Sequence, residues 1–346
     1  MGIYIFNLIL ILLWALLITV YNGKYKREIF IILTSFQLFI LLSLRSIDVG
    51  SDVAGYLKVF EWAKYADFRA LIDHRHELGY LVFNKMILLF TTNNQLFLAT
   101  IAAITVFSVG YFIYKNSKSP FLSYYLYITL GFYTFIFSGL RQAIAFSIIF
   151  FSYKYIKEKK LFKFLSTVIL ASLFHKSALV FIIAYFVSKK KITTPYIIGY
   201  FFTLGFVFVF RVKIMQLINN LFYEDYPVID GSAFSILVVA LIVVILSLIF
   251  VKNVKLTNPN AIIHYNLVMF SVFIIILAST STNVLRVANY FYYYIILLIP
   301  DVLISIKEKE FYVIAYLLVL ILAFVQFVLL TPSSDLKIVP YSFFWK

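Results

Sequence analysis

FYVIAYLLVLILAFVQFVLL, residues 311–330, runs for twenty positions without a charged side chain, which is the length one helical crossing of a bilayer takes, about 20 residues at 1.5 Å each. Comparable runs recur back to Ile3 with only short polar gaps between them, so no stretch remains from which a soluble catalytic domain could be built. Composition agrees. Of the 346 residues 63% are hydrophobic and 13% charged, against about 45–50% and about 25% in a soluble domain. The first run, 3–20, has no basic residues ahead of it and is followed by Lys24, Lys26 and Arg27 instead of a small-residue cleavage site, so it is expected to stay as a span and not to be removed as a signal peptide. The fold expected is all-α, a polytopic membrane helical bundle forming one transmembrane domain over 1–346. Any chemistry must sit on loops or in clefts between helices.

The chain has no cysteine, which excludes thiolate nucleophiles, disulfides and Cys-bound metals. Its net charge of +15 would suit nucleic acid if the basic residues formed one patch, but they stand in small groups between apolar runs, so no nucleic-acid partner is expected. Orientation in the membrane explains them better, because cytoplasmic loops retain Lys and Arg. The groups are Lys24/Lys26/Arg27, Lys115/Lys118, Lys154 with Lys157/Lys159/Lys160/Lys163, Lys189/Lys190/Lys191, Lys252/Lys255 and Lys307/Lys309, and neighbouring groups must be joined by an even number of crossings. About 12 transmembrane helices satisfy this, at roughly 3–20, 29–44, 95–114, 120–138, 140–156, 161–175, 177–188, 195–211, 233–251, 262–280, 286–303 and 311–330. Both termini then face outside. Leu78–Phe90 is apolar but short and carries Asn84 and Lys85, so 78–90 is expected as an interfacial helix. Long outer loops are expected at 45–77 and 211–232, and they hold most of the acidic residues.

An ionisable group at the end of an apolar run is costly in lipid and usually functional. Arg45 ends the second run, and Arg141 stands in Ser138-Gly139-Leu140-Arg141-Gln142 without an acid nearby in sequence. His175 is the tip of a hairpin whose arms offer about 28 residues where two full crossings take about 40. Arg286 follows the polar run Ser279-Thr280-Ser281-Thr282-Asn283. These four are expected to line a water-filled outer recess, since polar irregular backbone is tolerated at depth only around such a cavity. A guanidinium stays charged and takes phosphate through two parallel hydrogen bonds, so such a cluster suits a lipid pyrophosphate. The competing accounts are snorkelling or pairing with loop carboxylates for the arginines, and interhelical hydrogen bonding for His175. His74, His76 and His264 read as ordinary. P-loop, metalloprotease, nucleophile-elbow and dinucleotide fingerprints are absent. The pair Asp48 and Asp52 lacks further ligands, so neither metal nor cofactor is expected.

Read in order, an arginine before Gly50-Ser51-Asp52 with Tyr56, then Glu77-Leu78-Gly79-Tyr80, Leu140-Arg141-Gln142 with Ala143 and Ala145, Phe174-His175-Lys176-Ser177-Ala178, and Arg286 before Asn289-Tyr290-Phe291 make a chain that resembles the EpsG/Wzy group of polysaccharide polymerases. The resemblance implies a membrane glycosyltransferase of GT-C-like architecture, using no nucleotide sugar. Its substrate would be an undecaprenyl-pyrophosphate-linked oligosaccharide, delivered by a flippase and joined into O-antigen, capsule or exopolysaccharide on the periplasmic face of a bacterial inner membrane. Membrane lipid and a chain-length regulator are the further partners it implies. Transfer needs positive charge for the leaving pyrophosphate, assigned to Arg141 and Arg286 with Arg45 as helper. It also needs a base for the acceptor hydroxyl, for which His175, Glu77 and Asp52 stay open. Gln142, Asn289, Tyr290, Tyr56 and Tyr80 are the substrate contacts the motifs suggest. The region 192–257 carries no matching motif. A ligase passing the finished chain to a lipid or protein acceptor would use the same groups. A flippase or transporter would favour an internal repeat and charges along the whole depth of the spans.

Overall fold

A computed structural model of the chain describes residues 1–222, 233–280, 282–333 and 335–345. Among the described residues the regular structure is helical, and the one β-type pairing is an isolated antiparallel bridge between Arg45 and Phe343. Six helices are long and apolar enough to cross a membrane, or seven if the pair Phe234–Ile249 and Val251–Thr257, bent by 74°, is one span. The chain is a multi-pass membrane protein. It divides into two compact units, Met1–Leu179 with Val313–Lys346, and Val180–Tyr312.

Several expected crossings are broken or short. The run 120–138 is helical over Pro120–Thr129, turns at Gly131 with φ +86°, and resumes as Phe132–Phe135. Leu161–Ser172 has 12 residues, about 18 Å of helix against a hydrocarbon core of about 30 Å. The hairpin arm leading to His175 is therefore short, as its length in the sequence suggests. The expected second loop shrinks, because Thr194–Phe222 is one continuous helix. What is left of that loop, with Glu224, Asp225 and Asp230, lies outside the described residues.

In the first unit the helices Lys26–Ser43, Asn94–Asn116 and Leu140–Lys157 pack side by side. Arg27 donates to the carbonyls of Tyr114 and Ser117, the latter at 2.8 Å, and Lys157 donates to Asn116 Oδ1 at 2.8 Å. The Arg27 bonds satisfy carbonyls that the end of a helix leaves free, and together with the Lys157 bond they bring three of the basic groups to one end of the unit. At the other end Gln95 donates to the Arg45 carbonyl at 3.2 Å.

The loop after Arg45 is folded, not open. It forms helices Val53–Tyr65, Phe68–Asp73 and Leu78–Leu88, the second capped by Asp67, whose carboxylate accepts from the Ala70 N–H at 2.8 Å. Val53, Tyr56, Phe60 and Ala63 recur at helical spacing and are buried. Val53, Tyr56 and Phe60 pack with Leu71, Tyr80 and Leu81 onto Phe97, Ile101, Leu140 and Ile144, and Phe60 stacks on Phe97 at 4.2 Å. Each such buried side chain contributes about 1.5–3 kcal/mol, enough to hold the loop as a helical cap. The chain end straps it down: Ser46 N–H donates to the Ser342 carbonyl at 2.8 Å, Gly50 N–H to Lys337 at 3.1 Å and Ser51 N–H to Leu336 at 2.8 Å.

In the second unit Ala261–Ala278 and Val284–Ile304 are the central spans, with 72% and 78% of their apolar windows buried, whereas Thr194–Asn220 at 11% turns its side chains toward lipid. His264 Nδ1 lies 2.7 Å from Asp301 Oδ2, and Asn258 donates to the other oxygen at 2.9 Å. This buried acid between central helices was not expected.

Candidate functional site

Two glycines let the motifs meet. Gly50 has φ +116°, a backbone conformation that side chains rarely adopt, and a Cβ there would stand 2.2 Å from the Phe137 carbonyl oxygen. That close approach docks Ser51 on the segment ahead of Arg141: its N–H donates to Ser138 Oγ at 2.9 Å, and Ser138 in turn donates to the Leu336 carbonyl at 3.0 Å. At Gly79 a Cβ would meet Leu173 Cβ at 2.6 Å and its carbonyl oxygen at 2.7 Å. Without a side chain there, Tyr80 N–H reaches the Leu173 carbonyl at 3.2 Å, which seats Glu77 against the turn that carries His175.

Arg141 stands in the first turn of Leu140–Lys157, where the helix dipole disfavours a cation. The partner missing from its own neighbourhood is Glu77, whose Oε2 makes an ion pair with Arg141 Nη1. Only 8% of the Glu77 side chain and 21% of the Arg141 side chain is exposed. The other carboxylate oxygen accepts from the Lys176 N–H at 3.1 Å and lies 3.5 Å from His175 Nδ1. Burial on its own would raise the Glu77 pKa, but the His175 imidazole, the Arg141 charge and the backbone N–H groups of Glu77 and Lys176 outweigh it and hold the value at about 2. Nδ1 makes no hydrogen bond among the described residues, so the 3.5 Å contact with the carboxylate acts through charge and turns the Nδ1 edge of the ring toward Glu77.

Aromatic rings surround the ion pair. The Arg141 guanidinium sits 5.8 Å from the centre of the Tyr56 ring, and Tyr56 meets Tyr80 edge to face at 5.9 Å. His76 follows at 6.3 Å from Tyr80. Burial, with Arg141, His74 and Arg75, pushes its pKa down to about 4, so the ring is neutral at pH 7.

The structure thus brings together Glu77, Arg141, His175, Tyr56 and Tyr80. Gln142, next to Arg141, is 2% exposed, and Asp52 stands half-buried at the start of Val53–Tyr65. Arg45 does not open onto a water-filled recess. It is 1% exposed, with its guanidinium 5.0 Å from the centre of the Phe137 ring and Tyr4, Tyr133 and Tyr341 close enough to act on its charge. Arg286, Asn289 and Tyr290 belong to the second unit, on the helix Thr282–Tyr292, where their spacing of three and four puts them on one face. Among the described residues no group of three or more His, Asp or Glu side chains could hold a metal ion. Ser138, His76 and the chain end 335–345 are contributors that sequence reading missed. Gly50 and Gly79 were the available signals, since each marks a place where another backbone comes close.

Comparison with curated proteins and with solved structures gives no match. A family comparison does, over residues 28–343, a range that takes in the ion pair, the hairpin turn, Arg286 and nearly all of the terminal strap. The helical membrane architecture agrees with that match, and the chain therefore belongs to the EpsG family, the family of polysaccharide polymerase-like proteins.

Proposed function

We propose that the protein joins oligosaccharide repeats, carried on a lipid pyrophosphate such as undecaprenyl pyrophosphate, into a surface polysaccharide on the outer face of a bacterial inner membrane. The observation that carries this is the triad Arg141, Glu77 and His175, at the end of the first unit away from Arg27, Lys115 and Lys157. Basic ends are retained in the cytoplasm, and this supports an outer position for the triad.

In the reaction the acceptor hydroxyl oxygen forms a bond to the anomeric carbon of the donor sugar, and the bond from that carbon to the pyrophosphate oxygen breaks. His175 Nε2 takes the hydroxyl proton. Arg141 meets the charge that develops on the departing pyrophosphate; its Nε, buried and without a hydrogen-bond partner among the described residues, is a donor that a phosphate oxygen entering the site would satisfy. Glu77, with a pKa of about 2, is too weak a base for this step at neutral pH. Its role is to hold both partners in place. On the strength of their motifs alone, Arg286 is assigned to the pyrophosphate, and Asn289, Tyr290 and Gln142 to the sugars. Arg45 acts as scaffold beneath the loop.

The test is polymer formation from a defined lipid-linked repeat by purified protein in nanodiscs. Arg141→Ala should cost about 2.7–4 kcal/mol of transition-state stabilisation, a hundredfold or more in rate. His175→Gln should lose transfer while remaining folded. Normal glycan ladders from both variants would overturn the proposal.

A further inference from the structure

From Tyr56, under the Arg141 guanidinium, ring contacts continue away from the ion pair: Tyr56 to Tyr80 at 5.9 Å, Tyr80 to His76 at 6.3 Å, His76 to His74 at 4.9 Å and His74 to Trp62 at 4.3 Å. Trp62 then lines a cavity of about 440 Å³ together with Lys58, Glu61, Lys64, Tyr65 and Thr92. That volume lies within the range of about 300–1,000 Å³ usual for small-molecule sites. Trp62 also borders a second hollow of about 390 Å³, shared with Tyr65, Ala66, Asp67 and Ala70.

The helix Val53–Tyr65 carries two stripes. Val53, Tyr56, Phe60 and Ala63 go into the core, while Lys58, Glu61, Trp62 and Tyr65, spaced by three and four, share the other face. Tyr65 is 81% exposed, with Lys64 Nζ 5.3 Å from the centre of its ring. Trp62 leans partly on the core, and Tyr65 stands clear of it. A lipid anchor would set its aromatic rings among apolar neighbours alone, whereas here two lysines, a glutamate and a threonine stand beside Phe60 and Leu88 around a hollow. Flat apolar faces edged by donors and acceptors are what a pyranose offers and asks for, since one side of the sugar ring is C–H and its rim is hydroxyl.

We propose that this stripe is a sugar-binding subsite that holds pyranose rings of the glycan some way from the reacting end. Trp62 and Tyr65 lie against ring faces, and Lys58, Glu61 and Thr92 take hydroxyls. The inference rests on the polymerase reading and deepens it, because a subsite of this kind keeps the growing chain bound between additions and so sets how far it grows.

The experiment uses the full chain in nanodiscs and, as probe, the oligosaccharides released by mild acid from the cell's own lipid-linked repeats. Binding is followed by saturation-transfer NMR, which needs no turnover. Trp62→Ala and Tyr65→Ala should each weaken binding about tenfold, as expected for aromatic anchors. In cells both should shift the glycan ladder to shorter chains. Tyr65 is so exposed that its loss cannot be attributed to misfolding. Unchanged binding by both variants would overturn the subsite, as would strong quenching of Trp62 fluorescence by brominated lipid tails in protein lacking the other two tryptophans, of the three in the chain, which would make the stripe a membrane anchor. Probe binding that depends on Trp62 in a protein that makes no polymer would sink the polymerase reading and keep the subsite.

Discussion

Replacing Glu77 by Gln keeps the size and much of the hydrogen bonding of the side chain and removes its charge from between Arg141 and His175. The magnitude follows from the ionisation of the carboxylate. A pKa held at about 2 against an ordinary 4.5 corresponds to about 3 kcal/mol of interaction in favour of the charged form, at about 1.4 kcal/mol per tenfold. Breaking a buried pair from one side costs about 3–5 kcal/mol, and the 21% exposure of Arg141 lets water recover part of that, so we expect a loss of about 2–3 kcal/mol. The sign of the pH dependence is fixed by the direction of the shift. Because the folded value lies below the ordinary one, the contribution is complete above pH 4.5 and is lost as the pH falls toward 2. Equilibrium unfolding in mixed micelles should therefore show a steeper acid loss for the native protein than for Glu77→Gln. Polymer formation at pH 7 should drop about a hundredfold, since Arg141 and the His175 ring both lose the charge that positions them. In a double-mutant cycle Glu77→Gln and Arg141→Gln should be non-additive by about 2 kcal/mol. Additive effects, or a Glu77→Gln protein that matches the native one in stability and acid response, would refute the argument.

Gly79→Ala should destabilise the first unit by about 1–3 kcal/mol and depress activity, because its Cβ would press on Leu173 at 2.6 Å; unfolding and ladder assays on that variant check it, and native behaviour would show that the contact gives way. Ser138→Ala removes the hydroxyl that bridges Ser51 N–H and the Leu336 carbonyl but leaves their direct bond in place, with an expected cost of about 0.5–1.5 kcal/mol and faster proteolysis of the terminal strap. Arg286→Ala should abolish polymer with the protein still accumulating, and Arg286→Lys should not restore it; a normal ladder from the alanine variant would remove Arg286 from the site. With no native cysteine, Ser51→Cys and Lys190→Cys report orientation directly. An impermeant thiol reagent should label the first in intact cells and not the second, and the reverse result would invert the membrane topology.

Which of these groups could be read from the sequence depends on whether the signal is local. Apolar runs, basic ends and the short arm ahead of His175 are local, and each led to a helix or a helix end that the structure contains. Hydropathy counts apolar side chains and not helical continuity, so it passed over the break at Gly131, where positive φ stops the helix Pro120–Thr129. It also passed over Asp301, because one acid inside an apolar run hardly changes a sum. Its partner His264 is 37 residues away, beyond any spacing that a helix could mark.

The same distance hid the pairing at the centre of the site. Arg141 looked isolated because no acid lies near it in sequence, and Glu77 looked like one loop carboxylate among many. Sixty-four residues separate them, and no periodicity joins a loop end to a helix start. What could have joined them is sterics. Gly79 sits two residues after Glu77 at a place where a side chain would collide with Leu173, and Gly50 sits two before Asp52 where one would collide with Phe137. Each glycine keeps open a contact on which a charged or polar neighbour depends: Glu77 on the His175 turn, Ser51 on Ser138. The terminal strap left even less trace, because residues 336–344 are held largely by backbone hydrogen bonds to residues 44–51, and a main-chain donor or acceptor is the same whatever side chain it carries.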